Sequence, residues 1–387
     1  MLGKNMKKYI LISDFHLNEN NRGTAALGYG AVSFLRQKGF LRDGQMIATL
    51  NVYLNPFKSK SRTVVEEVVI QGNRIQILHY KVNLITLKMF MIFGILLPFS
   101  KFHKFLKDIQ WVASINGGDG FSDIYGNEMF LSRLLCVNLA MKGNIKHIVL
   151  PQTLGPFEDS LMKNIAIKIL KYSSFVFVRD RKFTDELDSF GIGYEVTKDL
   201  SAYMSPEPVD TKIKPGSVGI NISGLAYSNN YMALKGQFYN YPSLINQLIE
   251  TFQQMGKSIY LIPHSYNFNE PEINNDDLIA CVETYKSLKN KDRVYVVNKD
   301  LRSPQIKYII SKMSFFIGTR MHANFAAIYT NVPVFGLAYS FKYAGAFEAN
   351  GLSAKQTYMI NNISEDDIPK VIDEIVLFYN KVKLKSK

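Results

Sequence analysis

The segment Gly318-Thr-Arg-Met-His322 places an arginine and a histidine directly after an apolar run. An apolar helical pattern follows, so we expect both side chains at a strand tip beside a helix amino terminus, where backbone N–H groups favour anions. Arg320 offers a planar fork that fits carboxylate or phosphate, and His322 can transfer protons near neutral pH. The pattern therefore predicts an anion site with an acid or base. The alternative is a surface arginine beside a capping histidine, although a structural turn between apolar elements requires neither residue.

A glycine-rich segment, residues 116–126, follows another predicted strand and carries candidate ligands for hydroxyl groups. Aspartate and serine side chains offer acceptors suited to a sugar, and glycines allow the backbone to approach a ligand closely. A structural turn with an Asx cap would use the same residue types. The acceptor site predicted from this segment comprises Asn116, Gly118, Asp119, Ser122 and Asp123.

Four further positions follow predicted strands and could serve the same chemistry. Gln152, in the sequence PQTLGP, could bind substrate, although a rigid structural loop explains the prolines equally well. Arg179 is a second candidate anion ligand that Asp180 could orient, unless the two form an ion pair that caps a helix. His264 could be a second acid or base or a structural histidine. Lys342 could add a third positive charge.

The loop Asn21-Arg-Gly23 leads into a predicted helix, and its backbone N–H groups could bind an anion or a hydroxyl group. The loop is not a P-loop, because no lysine follows at the required position, and it lacks the GxGxxG pattern. The chain also lacks the GxSxG elbow of many serine hydrolases, the HExxH motif, and the histidine or cysteine spacing of metal sites. We therefore expect no metal and no cofactor.

Composition favours a globular protein of two domains, with 387 residues, of which 47% are hydrophobic and 20% charged. The formal net charge of +13 attracts anions, but the basic residues are dispersed and no arginine-rich or RNP-like pattern occurs. Nucleic-acid binding is therefore not expected. Cys136 and Cys281 lie in apolar helical patterns without a CxxC partner, which predicts reduced core residues of a cytoplasmic protein. Asp14 interrupts the first apolar run, which argues against a secretory signal.

Strand-like runs that end in polar turns alternate with helical patterns, which predicts an α/β protein with parallel sheets covered on both faces. Residues 204–216 contain three prolines and a glycine and are predicted to be a linker. We expect two Rossmann-like domains facing across a cleft, residues 1–203 and 217–365, with ligands at the carboxyl ends of the strands. Residues 366–387 should form a C-terminal helix and a basic, solvated tail, and the helix, Ile368–Lys381, is expected to pack back across the first domain.

Residues 89–100 form an uncharged run of twelve residues, MFMIFGILLPFS, between Lys88 and Lys101. The run is too short to span a bilayer, which takes about 20 apolar residues. Two interpretations stay open: a buried core helix, or a face that dips into an anionic membrane surface beside lysines. The segment considered for membrane contact is 85–104.

In order and spacing, the motifs GGDGFSDIYG, PQTLGPF, VFVRD, GTRMHANFAAI and PVFGLAYSFKYAG resemble the polysaccharide pyruvyl transferase family over about residues 21–351. The resemblance implies a fold similar to GT-B glycosyltransferases and the transfer of pyruvate from phosphoenolpyruvate to a sugar of a cell-surface polymer, usually as a ketal. It assigns Arg320 and His322 to the donor, with Arg179 as a second anion ligand. Thr24 departs from the acidic residue that many relatives have, which puts the acceptor role of the first loop in question.

The chemistry of these residues fits this reaction independently of the resemblance. Phosphoenolpyruvate carries a carboxylate and a phosphate, so two or three cationic groups are expected, and the transfer needs an acid and a base. We predict as acceptor a sugar of a cell-surface polysaccharide or of its lipid-linked or nucleotide-linked precursor, with the reaction in the cytoplasm or at the inner face of the membrane. Two other functions fit the sequence: a nucleotide-sugar glycosyltransferase, and a non-catalytic membrane component of polysaccharide assembly. The predicted donor ligands are Arg320, Arg179, Lys342 and Thr319, and the predicted catalytic residues are His322, Arg320 and His264.

Overall fold

A computed structural model describes residues 7–54, 63–96, 98–340 and 342–385. The chain divides between Met204 and Ser205 into two compact units. One segment departs from this order: Asn18–Ala26 groups with the second unit, although it was predicted to belong to the first domain. The reason is a set of bonds made by Arg22. Its backbone N–H donates to the carbonyl of His264 (3.1 Å), and its Nε donates to the carbonyl of Leu301 (2.8 Å).

Within the described residues, the first unit is built on one sheet of eight strands. These are β1 (Tyr9–Ser13), β2 (Met46–Tyr53), β3 (Val64–Ile70), β4 (Asn73–Asn83), β5 (Ile109–Ser114), β6 (His147–Gln152), β7 (Phe175–Val178) and β8 (Glu195–Val196). Their order is β3-β4-β2-β1-β5-β6-β7-β8, and all neighbours are parallel except the hairpin of β3 and β4. Strand order reverses between β1 and β5, whose carboxyl ends are level because Ser13 pairs with Ser114.

Helices cover this sheet. They are α1 (Arg22–Gln37), α2 (Leu84–Phe93), α3 (Lys101–Lys107), α4 (Asn127–Arg133), α5 (Leu135–Gly143), α6 (Ser160–Tyr172) and α7 (Thr184–Ser189). The central strand β1 reads as a continuous apolar run and is almost wholly buried, as expected for a parallel sheet with both faces covered. Helix α1 begins in the segment that groups with the second unit and continues into the first.

The second unit has a parallel sheet of six strands in the described residues. These are β9 (Val218–Asn221), β10 (Ile259–Leu261), β11 (Val294–Val296), β12 (Phe315–Gly318), β13 (Val334–Ala338) and β14 (Thr357–Met359). Their order is β11-β10-β9-β12-β13-β14, so the reversal of strand order lies between β9 and β12. In open α/β sheets, ligands bind at the carboxyl ends of the strands at such a reversal.

The helices of the second unit are α8 (Gly224–Ser228), α9 (Tyr241–Gln254), α10 (Asp277–Ser287), α11 (Ser303–Ser311), α12 (Met321–Ile328), α13 (Lys342–Ala349) and α14 (Asp367–Lys385). In α9, apolar residues recur three and four positions apart, so one stripe faces the core. Helix α14 packs its apolar face into the core of this same unit, with Ile368, Val371 and Ile375 fully buried. The expectation that it packs across the first domain stays a prediction. Ser386 and Lys387 of the predicted basic tail lie outside the described residues.

Both cysteines are buried and free, which confirms the prediction that they are unpaired core residues. Burial raises the pKa of the Cys136 thiol to about 12. The thiol therefore stays protonated near neutral pH, and Cys136 behaves as a small apolar side chain.

Helix α1 passes so close to the chain near Leu200 that residue 30 has to be glycine. A Cβ atom on Gly30 would lie 1.8 Å from the carbonyl oxygen of Leu200. We predict that Gly30→Ala lowers the free energy of unfolding by about 1–3 kcal/mol, because α1 or the loop has to move. Urea unfolding measures the change. Gly193→Ala is the control, because a Cβ there meets no heavy atom within 4 Å. Equal stability of the two variants would contradict this packing.

Candidate active site

The central interaction of the second unit is a buried ion pair between Arg320 and Asp277. Arg320 follows β12, and its Nε and Nη2 donate to Oδ1 of Asp277 over 3.0 and 2.7 Å. Nη2 also donates to the side-chain oxygen of Asn275 over 2.7 Å. Burial lowers the pKa of the guanidinium, but the Asp277 carboxylate outweighs that effect and holds the pKa above its usual value. The arginine is therefore charged and held in one orientation.

Asp277 is fully buried at the start of α10 and binds further donors from neighbouring elements. Its Oδ1 accepts the N–H of Gly224 over 2.8 Å. Its Oδ2 accepts the N–H groups of His264 and Ser265 over 3.0 and 2.9 Å and the side-chain amide of Asn221 over 3.3 Å. The carboxylate therefore joins the carboxyl ends of β9 and β10 to the tip of β12.

The remaining donors of Arg320 lie where strand order reverses. The backbone N–H of Arg320 donates to the side-chain oxygen of Asn221 at the end of β9, over 2.8 Å. Its Nη1 makes no hydrogen bond with any part of the chain that the structure describes. Arg320 is also the N-cap residue of α12, and no side chain caps this helix. A guanidinium nitrogen and a helix amino terminus together can bind an anion.

His264 lies directly beside this ion pair. The residue is buried, and within the described residues its Nδ1 has no hydrogen-bond partner. Burial, reinforced by neighbouring cationic groups including Arg320 and His322, lowers the pKa of His264 well below its usual value. The imidazole is therefore neutral near pH 7, and Nδ1 can accept or donate one hydrogen bond. Buried polar atoms without partners are uncommon, and a catalytic role is one of the explanations for such an atom.

His322 stands in the first turn of α12, and its position depends on Gly23. A Cβ atom on Gly23 would lie 2.6 Å from Nδ1 of His322. The ring also meets Phe325 edge-on, with centroids 5.5 Å apart. Gly23 therefore makes room for the histidine, which is a different role from the predicted contact with an acceptor sugar. Asn21 caps α1, because its side-chain oxygen accepts the N–H of Gly23 over 2.9 Å.

Thr319 does not fit its predicted role as a donor ligand. Its side chain is fully buried, and its hydroxyl bonds to the hydroxyl of Tyr241 over 2.8 Å. Its carbonyl accepts a hydrogen bond from the hydroxyl of Tyr343 over 2.5 Å. Thr319 thus anchors the end of β12 to Tyr241 and Tyr343. Lys342 lies at the start of α13 with an exposed side chain.

Arg179 forms the corresponding pair in the first unit. Its Nη1 donates to Oδ2 of the buried Asp199 over 2.8 Å, and its Nε donates to the hydroxyl of Thr153 over 3.0 Å. Thr153 donates in turn to Asp180, whose carboxylate lies 3.8 Å from Nε of Arg179. Burial lowers the pKa of Arg179, but Asp199, with help from Asp119 and Asp180, holds it above the usual value. Arg179 is therefore a fixed cation.

Three polar side chains at the other strand ends of the first unit are buried with atoms that have no partner within the described residues. These atoms are the hydroxyl of Ser13, both amide atoms of Asn116, and the amide oxygen of Gln152. Gln152 is held in place because its Nε2 donates to the carbonyl of Ser114 over 3.0 Å. The three residues lie at or just beyond the ends of β1, β5 and β6, beside the reversal of strand order. Such donors and acceptors suit a ligand rich in hydroxyl groups.

Two predicted ligands in the glycine-rich segment instead form hydrogen bonds with the backbone of a neighbouring loop. Ser122 donates to the carbonyl of Pro156 over 2.6 Å. The Asp123 carboxylate accepts the N–H groups of Glu158 and Asp159 over 2.9 and 2.8 Å. The structural alternative for these two residues is therefore the better interpretation, and their predicted sugar contacts are not supported by the geometry.

Two further predicted ligands of that segment, Gly118 and Asp119, lie beside Arg179. A Cβ atom on Gly118 would lie 2.9 Å from Nη1 of Arg179. Asp119 accepts a hydrogen bond from Tyr125 over 2.9 Å and adds to the negative charge around the arginine. Within the described residues, the structure thus brings Asn116, Gly118, Asp119, Gln152 and Arg179 to one edge of the first sheet.

Asp277 is a candidate site residue that sequence reasoning missed. It follows Asp276, which caps α10 by accepting the N–H groups of Leu278 and Ile279, so the pair looks like an ordinary helix start. A signal did exist in Arg320, because an arginine between apolar elements needs a carboxylate partner. Nothing in the local pattern says which of the 33 acidic residues that partner is.

Two kinds of feature are absent from the described residues. No group of three or more histidine, cysteine, aspartate or glutamate residues there could hold a metal ion. No helix among them combines the length and apolar character that crossing a bilayer requires.

Comparison with protein families gives a match to polysaccharide pyruvyl transferase over residues 21–341, which confirms the resemblance seen in the sequence. Two similar solved structures are UDP-GlcNAc 2-epimerase from Methanocaldococcus jannaschii and MnaA of S. aureus in complex with UDP. Both are 11% identical to this chain, with TM-scores of 0.53 and 0.51. Each alignment covers 97% of this chain, and 93% and 90% of the two structures respectively. At this identity the similarity shows the fold alone, and the predicted α/β class of the GT-B type is confirmed.

The contact between Gly23 and His322 can be tested by a double-mutant cycle. We predict that Gly23→Ala lowers the free energy of unfolding by about 1–3 kcal/mol, because the added methyl group meets the imidazole ring. In the background of His322→Ala most of this cost should disappear. Gly345→Ala is the matched control in the same unit, because its Cβ meets no heavy atom within 4 Å. An unchanged cost in the His322→Ala background would mean that the ring is not what Gly23 accommodates.

Proposed function

The chain belongs to the polysaccharide pyruvyl transferase family, and on this premise we propose that it moves pyruvate from phosphoenolpyruvate to a sugar, forming a ketal. The acceptor we propose is a sugar of a cell-surface polysaccharide or of its lipid-linked or nucleotide-linked precursor. The observation that carries the proposal is the strand reversal in the second unit. There, a fixed arginine, an uncapped helix and a buried neutral histidine lie together.

The donor would be recognised by directed N–H groups rather than by excess charge. Asp277 offsets the charge of Arg320, so the pair as a whole is close to neutral. What it offers is Nη1 in a fixed position, next to the first N–H groups of α12. Phosphoenolpyruvate has a carboxylate and a phosphate, and each is a good acceptor for such donors. The donor roles of Arg179 and Lys342 stay predictions.

The proposed reaction conserves protons and releases one inorganic phosphate. An acid adds a proton to the methylene carbon of phosphoenolpyruvate, and the neighbouring carbon gains positive character. One sugar hydroxyl attacks that carbon and loses its proton to a base. A second hydroxyl then displaces the phosphate and closes the ketal, and its proton leaves with the phosphate. Phosphoenolpyruvate is the co-substrate, and the chemistry needs no further cofactor.

The two histidines suit opposite proton transfers in this reaction. His264 is neutral, so it is suited to accept a proton from a hydroxyl, while His322 is the candidate for the acid. The low pKa of His264 makes it a weak base in the absence of ligand. An anionic donor would offset the cationic neighbours of His264 and raise its pKa toward the value that general-base catalysis requires.

For the acceptor, the first unit supplies buried polar atoms that have no partner among the described residues. Ser13, Asn116 and Gln152 offer donors and acceptors at one sheet edge, where sugar hydroxyls could replace the missing bonds. Ser13 was not among the predicted ligands, whereas Asn116 and Gln152 were. We expect the reaction in the cytoplasm, where phosphoenolpyruvate is available.

We predict that the protein, given phosphoenolpyruvate and a panel of lipid-linked and nucleotide-linked sugars, releases phosphate only when an acceptor is present. Arg320→Lys and His322→Ala should each lower the rate by about 10²–10⁴-fold, because one loses the oriented fork and the other the acid. Phosphate release measures the rate, and calorimetry measures binding of phosphoenolpyruvate without any acceptor.

Matched controls are Arg74→Lys and His79→Gln, whose side chains pair with Glu67 and Glu66 away from the strand reversals. Both should keep the rate of the unmodified protein. Release of a nucleoside diphosphate instead of phosphate would support a glycosyltransferase. Absence of any phosphoenolpyruvate binding would contradict the proposed donor.

A further inference from the structure

Helix α2 has apolar residues all round, but the fold covers only part of them. Leu87 and Phe90 are buried in the core of the first unit. Ile85, Met89 and Ile92 recur four and three positions apart on another side of the helix and are 64%, 39% and 64% exposed. A helix that is apolar all round is normally buried all round. The uncovered side of α2 therefore needs an explanation.

The exposed apolar surface continues beyond the helix. Phe93 is 64% exposed at the last position of α2, Gly94 ends the helix in a left-handed turn, and Ile95 is 53% exposed. Phe99 is 84% exposed, and its N–H donates to the imidazole of His103 over 3.3 Å, which ties the loop to α3. We call these side chains the apolar patch: Ile85, Met89, Ile92, Phe93, Ile95 and Phe99.

In the stretch of sequence that contains the patch, every residue with a formal charge is basic. The sequence contains no aspartate or glutamate between Glu67 and Asp108. Lysines on α2 and α3 have exposed side chains, and the side chain of Lys142 reaches to within 3.4 Å of the Cβ position of Gly94. The basic residues in the interval are Arg74, Lys81, Lys88, Lys101, Lys104 and Lys107.

The combination of exposed apolar side chains and neighbouring lysines indicates which kind of surface could cover the patch. A second copy of the chain would bring two lysine-rich rims together, and like charges repel. Insertion across a bilayer does not fit a helix of 10 residues, since a span takes about 20. A bilayer surface with anionic headgroups fits both features, because apolar side chains enter the interface while lysines reach phosphate groups.

We propose that the apolar patch inserts into the surface of a bilayer that contains anionic phospholipid, with Lys88, Lys101 and Lys104 on the headgroups. Binding would be peripheral and dependent on salt, because the attraction between surface charges falls with ionic strength. This binding does not depend on the proposed reaction. If the reaction holds, the patch would bring the protein to the surface where lipid-linked sugars are found.

The test is co-sedimentation of the full chain with vesicles of phosphatidylcholine, with and without about a third of phosphatidylglycerol, in the absence of any substrate. We expect binding to the anionic vesicles only, and loss of most of that binding in high salt. Ile92→Ser with Phe93→Ser should weaken binding at least tenfold, because both side chains leave water on insertion. Lys101→Ala with Lys104→Ala should weaken it by about fivefold per lysine.

Matched controls are Leu377→Ser and Lys355→Ala, which remove an exposed leucine and an exposed lysine from the second unit. Both should bind vesicles as the unmodified protein does. Equal binding to neutral and anionic vesicles, no binding to either, or full binding by the Ile92 and Phe93 double variant would overturn the proposal. Sedimentation velocity adds one more outcome: a dimer that this double variant dissociates would make the patch a contact between copies, which also overturns it.

Discussion

The buried ion pair between the carboxylate of Asp277 and Arg320 is the interaction that fixes the candidate site of the second unit. The carboxylate is removed from water, and an isolated ion in that position would cost several kcal/mol. Arg320 compensates the charge, and the N–H groups of Gly224, His264 and Ser265 occupy the other lone pairs. Loss of either ion would leave the other buried and uncompensated, at a cost of about 3–5 kcal/mol. The pair thus ties the geometry of the site to the stability of the fold.

A comparable solution appears in the first unit, where Asp199 holds Arg179. In both units a buried aspartate fixes an arginine that follows a parallel strand. A surface arginine loses considerable side-chain entropy when it binds a ligand, whereas these two are already ordered. Oriented donors that need no rearrangement during the reaction are the main source of electrostatic stabilisation in enzymes. The neutral imidazole of His264 follows from the same arrangement, because burial and nearby cations favour its uncharged form.

The sequence predicts the local features of this protein well, but it predicts poorly which residues contact each other across the fold. Arg320 and His322 could be placed at a strand tip because the apolar run before them and the helical pattern after them are local signals. Asp277 could not be found, since it lies 43 positions away from Arg320 and only tertiary packing joins them. Thr319, Ser122 and Asp123 have side chains suited to ligands, but their type does not reveal that neighbouring loop and helix groups already occupy them. In α2, one side is buried in the core and another is exposed, and the sequence cannot show which side the core covers.

In the proposed reaction, a proton reaches the methylene carbon of phosphoenolpyruvate while its neighbouring carbon is joined to a sugar. Running the reaction in D₂O and reading the product by mass spectrometry and NMR tests this directly. We predict one deuterium in the new methyl group for each pyruvate transferred, with one phosphate released. A product that retains an intact methylene group, or one that contains no carbon from phosphoenolpyruvate, would contradict it.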